Sequence, residues 1–178
     1  MMFLTRFALF AAIGLGLGLG SAWRAVSYGF FATTERYGSW SFWVREATAD
    51  ADPYTIAHTV REGSLPLTPA AALTFTATRD SAGARLSGDC TYELRGVLPS
   101  SLWWTIAAFK ADGETMPNKT GRSSFTSGTL VSSPEGAFTV RLSPEVQPGN
   151  WLPTSRATPF ILRLTVLKPV NPDGLLKH

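Results

Sequence analysis

Cysteine is almost absent from this sequence, since Cys90 is the only one among 178 residues. An intrachain disulfide is therefore excluded, and a folded domain must be held together by its apolar core. A catalytic thiol would need a neighbouring base, for which the chain offers only His58 and His178. Cys90 also begins a stretch, Cys90 to Leu94, in which apolar and polar residues alternate. This pattern predicts a small buried side chain rather than a nucleophile.

Histidine is scarce as well, and the familiar catalytic motifs are missing. Two histidines are too few for a structural zinc site or a multi-histidine catalytic metal. The sequence has no phosphate-binding glycine loop, no paired cysteines and no Gly-x-Ser-x-Gly motif. Asp50 and Asp52 carry oxygen ligands suited to calcium, but carboxylates at a helix start are more typical of caps. We therefore expect no metal or other cofactor and assign no catalytic residue.

Basic residues are in small excess and are not clustered. The chain has 16 Lys and Arg against 13 Asp and Glu, and setting aside Arg6 and Arg24 leaves 14 against 13. The sequence contains no arginine-rich arm and no cluster of lysines. A nucleic-acid-binding domain needs a concentrated basic surface, so the sequence excludes that class of partner.

Seventeen residues from Phe7 to Trp23 carry no charge. As a helix they rise about 25 Å, at the short end of what spans a bilayer's hydrocarbon core. The sequence therefore predicts a single-pass anchor flanked by Arg6 and Arg24. A cleaved signal peptide is the alternative, because Arg6 supplies its basic start and Gly20-Ser21-Ala22 resembles a cleavage site.

Alternate glycines mark the second half of this segment. Gly14 with Gly18, and Gly16 with Gly20, form two small-xxx-small pairs, which allow close approach of membrane helices. They are compatible with an oligomer formed through the glycine face, and equally with the general frequency of glycine in membrane helices and signal peptides. Orientation is not decided by charge, since Arg6 opposes Arg24, Arg36 and Arg45, and long domains translocate largely regardless of charge.

The remaining residues, about 150, suit one domain. The stretch at 29–50 is rich in aromatic residues, and within it Ser39 to Val44 partly alternates like a strand. Asp52-Pro53 and Gly63 delimit a helix from Pro53 to Glu62. Alternation of period two then predicts strands at 73–78, 85–95, 102–109, 123–131, 137–142 and 160–167. Turns are predicted at Asp112-Gly113, Pro134-Glu135-Gly136 and Pro148-Gly149. We expect an anchor at 1–28, a linker with a first strand at 29–50, an antiparallel sandwich or barrel at 51–170 and a tail at 171–178.

The candidate ligand-binding residues lie in a polar loop and in the tryptophans. Asp112 to Ser124 is rich in hydroxyls and contains Asn118 and Arg122, a composition that suits an anion or a sugar but also an ordinary hairpin connection. Trp103, Trp104 and Trp151 are possible platforms for carbohydrate. Because neighbouring residues of a strand face opposite sides, at least one of Trp103 and Trp104 is predicted to be core.

Several landmarks in one order resemble the bacterial domain-of-unknown-function family twelve-fourteen over roughly Ala49 to Val170. They are Ala51 to Ala57, Cys90-Thr91-Tyr92, Trp103-Trp104-Thr105, Asn118, Arg122 and the string Pro148-Gly149-Asn150-Trp151-Leu152-Pro153. The resemblance implies a jelly-roll-like β-sandwich in the periplasm, in a short envelope protein with one hydrophobic segment. It carries no catalytic set, and Asn118, Arg122, Asn150 and Trp151 enter only as motif positions. In larger relatives this domain follows a second domain of unknown function, and no segment of the present sequence matches that second domain.

Three functions remain after this reading. The favoured one is a non-enzymatic inner-membrane protein whose periplasmic sandwich binds a protein partner or an envelope component such as a polysaccharide. A carbohydrate- or metabolite-binding module, or an enzyme, using the 112–124 loop is the second. An accessory subunit of an inner-membrane complex is the third.

Trp151 has two predicted roles. We expect it either to plug the end of the sandwich together with Asn150 or to form an exposed platform.

Overall fold

The uncharged run belongs to a longer helix, α1, which extends from Met2 to Tyr28. The structure is a computed structural model that describes residues 2–30, 32–63, 65–97 and 101–170. Its 27 residues rise about 40 Å, more than the hydrocarbon core requires. None of its residues is buried by the rest of the chain. Within the described residues it is the one helix long and apolar enough to cross a membrane, a test that signal sequences also pass.

The chain divides into two compact units. The first unit comprises Met1–Glu35 and Trp43–Pro66, and the second comprises Arg36–Phe42 and Leu67–His178. The division falls inside two short strands, β1 (Thr34–Tyr37) and β2 (Trp40–Trp43), of which sequence alternation predicted only the second. The predicted tail at 171–178 lies outside the described residues.

Helix α2 in the first unit runs from Pro53 to Glu62, which confirms the bounds predicted from its capping residues. The Asp52 carboxylate accepts hydrogen bonds from the backbone N–H groups of Tyr54 and Thr55, at 2.9 and 3.1 Å. Partial burial by itself would raise the pKa of Asp52, but the hydrogen bonds donated by Thr55 and Tyr54 outweigh it and lower that pKa. Gly63 ends the helix with φ +62°, a left-handed conformation that glycine adopts without strain.

The second unit contains the remaining strands, arranged in two sheets. They are β3 (Ala72–Ala77), β4 (Tyr92–Val97), β5 (Ser101–Lys110), β6 (Ser124–Thr126), β7 (Ala137–Ser143), β8 (Asn150–Pro153) and β9 (Phe160–Pro169). Together with β1 and β2 they form a six-stranded sheet, β1-β2-β3-β9-β5-β6, and a three-stranded sheet, β4-β7-β8. Nine strands against two helices in the described part of the chain confirm the mainly β prediction.

The sheets pack on each other through one apolar core. Alternating residues of the larger sheet, including Ala108 and Phe160, meet Val140, Leu142 and Leu152 of the smaller sheet. Val140 and Leu152 are fully buried. This two-layer packing makes the second unit a β-sandwich, while the jelly-roll connectivity stays a prediction.

The predicted turns are confirmed by their glycines, and two local predictions need correction. Gly113, Gly136 and Gly149 have φ of +88°, +81° and +78°, the conformation that the reversals require. Cys90 is exposed rather than buried. Its backbone N–H closes a turn onto Ser87 O at 3.2 Å, and the strand alternation begins only at Tyr92. The predicted strand at 123–131 is also shorter, because the chain turns after Thr126.

One strand pair departs from the expected antiparallel arrangement. β8 lies parallel to β7, with Val140 opposite Asn150 and Ser143 opposite Pro153. The other strand pairs whose registers are described are antiparallel. The segment Gly149 to Pro153 was predicted as a turn and a plug, so β8 was missed because its four residues show no alternating pattern.

Candidate functional site

The four candidate ligand-binding residues fall into two pairs in different parts of the sandwich. Asn118 and Arg122 lie in the connection from β5 to β6, at the edge of the six-stranded sheet. Asn150 and Trp151 begin β8, at the edge of the three-stranded sheet. The hydrogen bonds described for each pair stay within its own region.

Asn118 shapes the loop that carries it. Its amide nitrogen donates to Met116 O at 3.1 Å, and its Oδ1 accepts from Thr120 N and Thr120 Oγ1 at 3.1 and 2.9 Å. This is an Asx-turn, in which the side chain takes the place of a backbone partner. Arg122 is exposed, and its guanidinium carbon lies 5.3 Å from the Phe125 ring centroid. The Asn118 side chain is thus engaged within the loop, whereas Arg122 presents its positive charge to solvent.

Asn150 is buried and connects three segments of the chain. Its Nδ2 donates to Val131 O at 2.7 Å and to Thr139 O at 3.1 Å, while its Oδ1 accepts from Val131 N at 2.9 Å. One amide thereby ties the 131 segment to β7 and β8. The fold uses both polar atoms of this side chain, since a buried amide needs partners to offset its desolvation.

Trp151 is half-buried, which places it between the predicted plug and the predicted platform. Its indole N–H donates to Ser143 O at 3.0 Å. Ser143 lies at the end of β7, so this bond reinforces the parallel β7–β8 pair. The prediction for the other two tryptophans is confirmed, because Trp104 is 3% exposed and Trp103 is 36% exposed.

An open cleft of about 330 Å³ lies beside Asn150. It combines hydroxyl groups, one aromatic ring, one amide and one guanidinium, and its lining residues are Val131, Ser132, Ser133, Ala137, Phe138, Thr139, Arg141, Gly149 and Asn150. Of the four predicted residues, it includes only Asn150. Sequence reasoning missed it because Arg141 lies in a strand with no motif around it.

The charge beside this cleft is balanced by an ion pair. Arg141 Nε donates to Glu93 Oε1 at 3.1 Å, and its Nη1 donates to Pro148 O at 2.9 Å. Glu93 also accepts from Arg95, whose hydrogen bonds are the main reason that the pKa of Glu93 is lowered, with Arg141 adding to the effect. The Arg141 guanidinium is therefore held in place, and the lining of the cleft is mostly apolar, with hydroxyl groups among its polar parts.

Side chains suited to metal binding are not grouped in the part of the chain that the structure describes. In residues 2–30, 32–63, 65–97 and 101–170, no group of three or more His, Cys, Asp or Glu side chains is placed to hold a metal ion. Tyr92 Oη accepts a hydrogen bond from Ser87 N at 3.0 Å. Burial raises the pKa of Tyr92 above its ordinary value.

Similarity to one solved structure supports the sandwich fold. The VPA0106 protein from Vibrio parahaemolyticus is similar with a TM-score of 0.60 and 22% identity, over 71% of this chain and 35% of that protein. An uncharacterized protein from Burkholderia cenocepacia matches with a TM-score of 0.42 and 20% identity, over 54% of this chain and 24% of that one. The chain thus spans about a third or less of the length of these proteins, and the first similarity concerns the fold alone.

A family match gives the assignment. No curated protein matches the sequence. The profile of the family described as "Protein of unknown function (DUF1214)" matches residues 71–171, which is more than half of the chain and includes every strand of the second unit from β3 to β9. The Asp52-Pro53 landmark lies outside the matched range. The chain therefore belongs to the DUF1214 family, a family of unknown function.

Proposed function

We propose that this protein is a single-pass tether of the inner membrane whose β-sandwich lies in the periplasm and binds a protein partner or an envelope component. The main support for the tether is the exposed apolar surface of α1. Its large apolar side chains are exposed, from 49% at Ile13 to 80% at Phe3. A contiguous apolar surface of this size needs a lipid or protein environment, because its exposure to water would be strongly unfavourable.

The length and contacts of α1 favour a retained anchor over a cleaved signal peptide. The helix continues without interruption past Gly20-Ser21-Ala22 to Tyr28. Its last turns contact α2: His58 Nδ1 lies 3.0 Å from Val26 O, and the Arg61 guanidinium carbon lies 4.3 Å from the Trp23 ring centroid. A cut after Ala22 would place a positively charged amino terminus at Trp23, next to the Arg61 guanidinium.

Support for the periplasmic location and for the binding role comes from the family resemblance and from the sandwich surface. Flanking charge does not favour either side of the membrane, as argued from Arg6 and Arg24. The cleft beside Asn150 offers hydroxyl groups and an aromatic ring on a largely apolar lining, which suits polar ligands and peptide segments. We assign binding to this cleft.

The tether is tested by the mass and sidedness of the native protein. We expect the membrane fraction to contain the full chain of 19.2 kDa, with the sandwich digested by protease added to spheroplasts and protected in intact cells. A shorter mass that begins at Trp23, or release into the soluble periplasm, would contradict the anchor. Protection in spheroplasts would contradict the periplasmic side.

The binding role is tested by crosslinking on the same membranes. The crosslinker is placed at Ser132 in the cleft, and Val146 is the control position.

The glycines of α1 supply a second, independent proposal, an oligomer formed in the membrane. A Cβ added at Gly14, Gly16, Gly18 or Gly20 would meet nothing within 4 Å, so these faces are open to another helix. We expect Gly18→Ile or Gly16→Ile to convert an oligomer into a monomer, with the mass measured in mild detergent. Leu17→Ile, which keeps the side-chain volume, is the matched control. An unchanged mass for both glycine variants would rule out pairing through this helix.

A further inference from the structure

Helix α2 has an apolar ridge on the side that does not contact α1. Pro53, Ile56, Ala57 and Val60 recur at helical spacing, and all four are exposed. Ile56 is 52% exposed and Val60 is 74% exposed. Two adjacent β-branched apolar residues on the open side of a short helix are unusual in water, so this ridge needs an explanation.

The opposite side of α2 is fixed to the end of α1. His58 stacks on Trp43, with ring centroids 4.1 Å apart and an interplanar angle of 18°, and its Nδ1 lies 3.0 Å from Val26 O. Because a carbonyl oxygen only accepts, Nδ1 carries the proton in this contact. Arg61 lies over the Trp23 ring and donates to Ser27 Oγ. These contacts hold α2 against residues 23–27 of α1.

The level of these residues in a bilayer follows from the charges on α1. Arg6 and Arg24 are separated by 18 positions, which corresponds to about 27 Å of helix and matches a hydrocarbon core of roughly 30 Å. Residues after Arg24 then lie among the head groups. Trp23 and Tyr28 are 64% and 59% exposed, and such aromatic residues are enriched at this depth. Since α2 is fixed to residues 23–27, it lies at the same depth.

We propose that α2 is an interfacial helix, whose Pro53–Ile56–Ala57–Val60 ridge contacts the lipid of the bilayer that α1 crosses. The attraction is apolar, because α2 carries one basic residue, Arg61, which is already engaged by Trp23 and Ser27, while Glu62 and the capping Asp52 are acidic. A zwitterionic phosphatidylcholine surface is therefore sufficient. This inference rests on the proposed tether.

The test places a fluorescent label at single cysteines of the full chain in phosphatidylcholine vesicles. The background is Cys90→Ser, which removes the only cysteine. Labels at Ile56→Cys and Val60→Cys report on the ridge, and one at Leu15→Cys reports on the middle of α1. Val146→Cys is the matched control, because Val146 is a sandwich valine 79% exposed, against 74% for Val60. Quenchers are nitroxide phosphatidylcholines labelled near the head group or deep in the acyl chain.

We expect the shallow quencher to reduce fluorescence at positions 56 and 60 several-fold more than at 146, and the deep quencher to act mainly at position 15. Ridge labels that behave like position 146, while position 15 is quenched, would overturn the interfacial helix and leave the tether intact. Deep quenching at position 60 equal to that at 15 would also overturn it, since the ridge would then lie inside the core. An unquenched position 15 would instead contradict the tether itself.

Discussion

Replacing Trp104 with alanine is expected to lower the free energy of unfolding of the sandwich by about 3 to 5 kcal/mol. Trp104 is 3% exposed, and its ring stacks on Phe138 at 6.2 Å between centroids with an interplanar angle of 17°. The substitution removes this ring from the interior and leaves a cavity that the surrounding strands fill only in part. It also removes a contact between β5 of one sheet and β7 of the other, so the loss falls on the packing of the sandwich.

The neighbouring residue provides the control. Trp103 points to the other face of β5 and is 36% exposed, so Trp103→Ala is expected to cost about 1 to 2 kcal/mol, less than Trp104→Ala. Both variants are made in the full chain in detergent, and denaturant unfolding is followed by circular dichroism, which does not depend on tryptophan emission. Equal losses for the two variants would contradict the assignment of inner and outer faces on β5.

Asn150→Ala is expected to cost about 2 to 4 kcal/mol, although it removes only a small side chain. The amide makes three hydrogen bonds, to the N–H and C=O groups of Val131 and to Thr139 O. Without it, backbone groups in a part-buried region lose their partners, and each orphaned group costs about 1 to 3 kcal/mol. We expect the 131 segment to detach first, which hydrogen exchange at the Val131 amide would detect as lost protection.

Asn118→Ala is the matched control for Asn150. Asn118 also makes three hydrogen bonds, but they lie within one loop, to Met116 and Thr120, and the loop is largely exposed. Water replaces these bonds, so we expect a loss of less than about 1 kcal/mol. A near-neutral Asn150→Ala would show that Asn150 does not hold the sandwich, and would direct attention to a role in ligand binding.

Local chemistry made helix α2 predictable, and long-range contacts limited the rest. Asp52, Pro53 and Gly63 specify a start and an end within a few residues, so the helix bounds could be read without tertiary structure. The central strands were predicted because one face of each is buried, which imposes a period of two. Cys90 was misjudged because alternation does not mark where a strand begins: the strand predicted from residue 85 starts only at Tyr92, after the turn that contains Cys90.

The candidate site was less predictable than the fold. Asn150 was identified as a motif position, but its bonds reach 19 residues back to Val131 and 11 residues back to Thr139. The Arg141–Glu93 pair joins residues 48 positions apart. No sequence period encodes such partners, because they depend on which strands become neighbours. The parallel β7–β8 pair was missed for the same reason, since its four-residue strand begins at what resembles an ordinary Pro-Gly turn.

That parallel pair restricts how the chain can vary in length. Only six residues, 144–149, connect β7 to β8, whereas parallel neighbours ordinarily need a connection of about a dozen residues or more. The segment must therefore return by the shortest route, with its Pro148 carbonyl held by Arg141 and Gly149 in a left-handed conformation. Adding or removing one residue would shift the β8 register by one position. Asn150 and Trp151 would then each move to the face of the sheet that the other now occupies. Among homologues, insertions should accumulate in connections such as 111–123 and be nearly absent between Ser143 and Asn150.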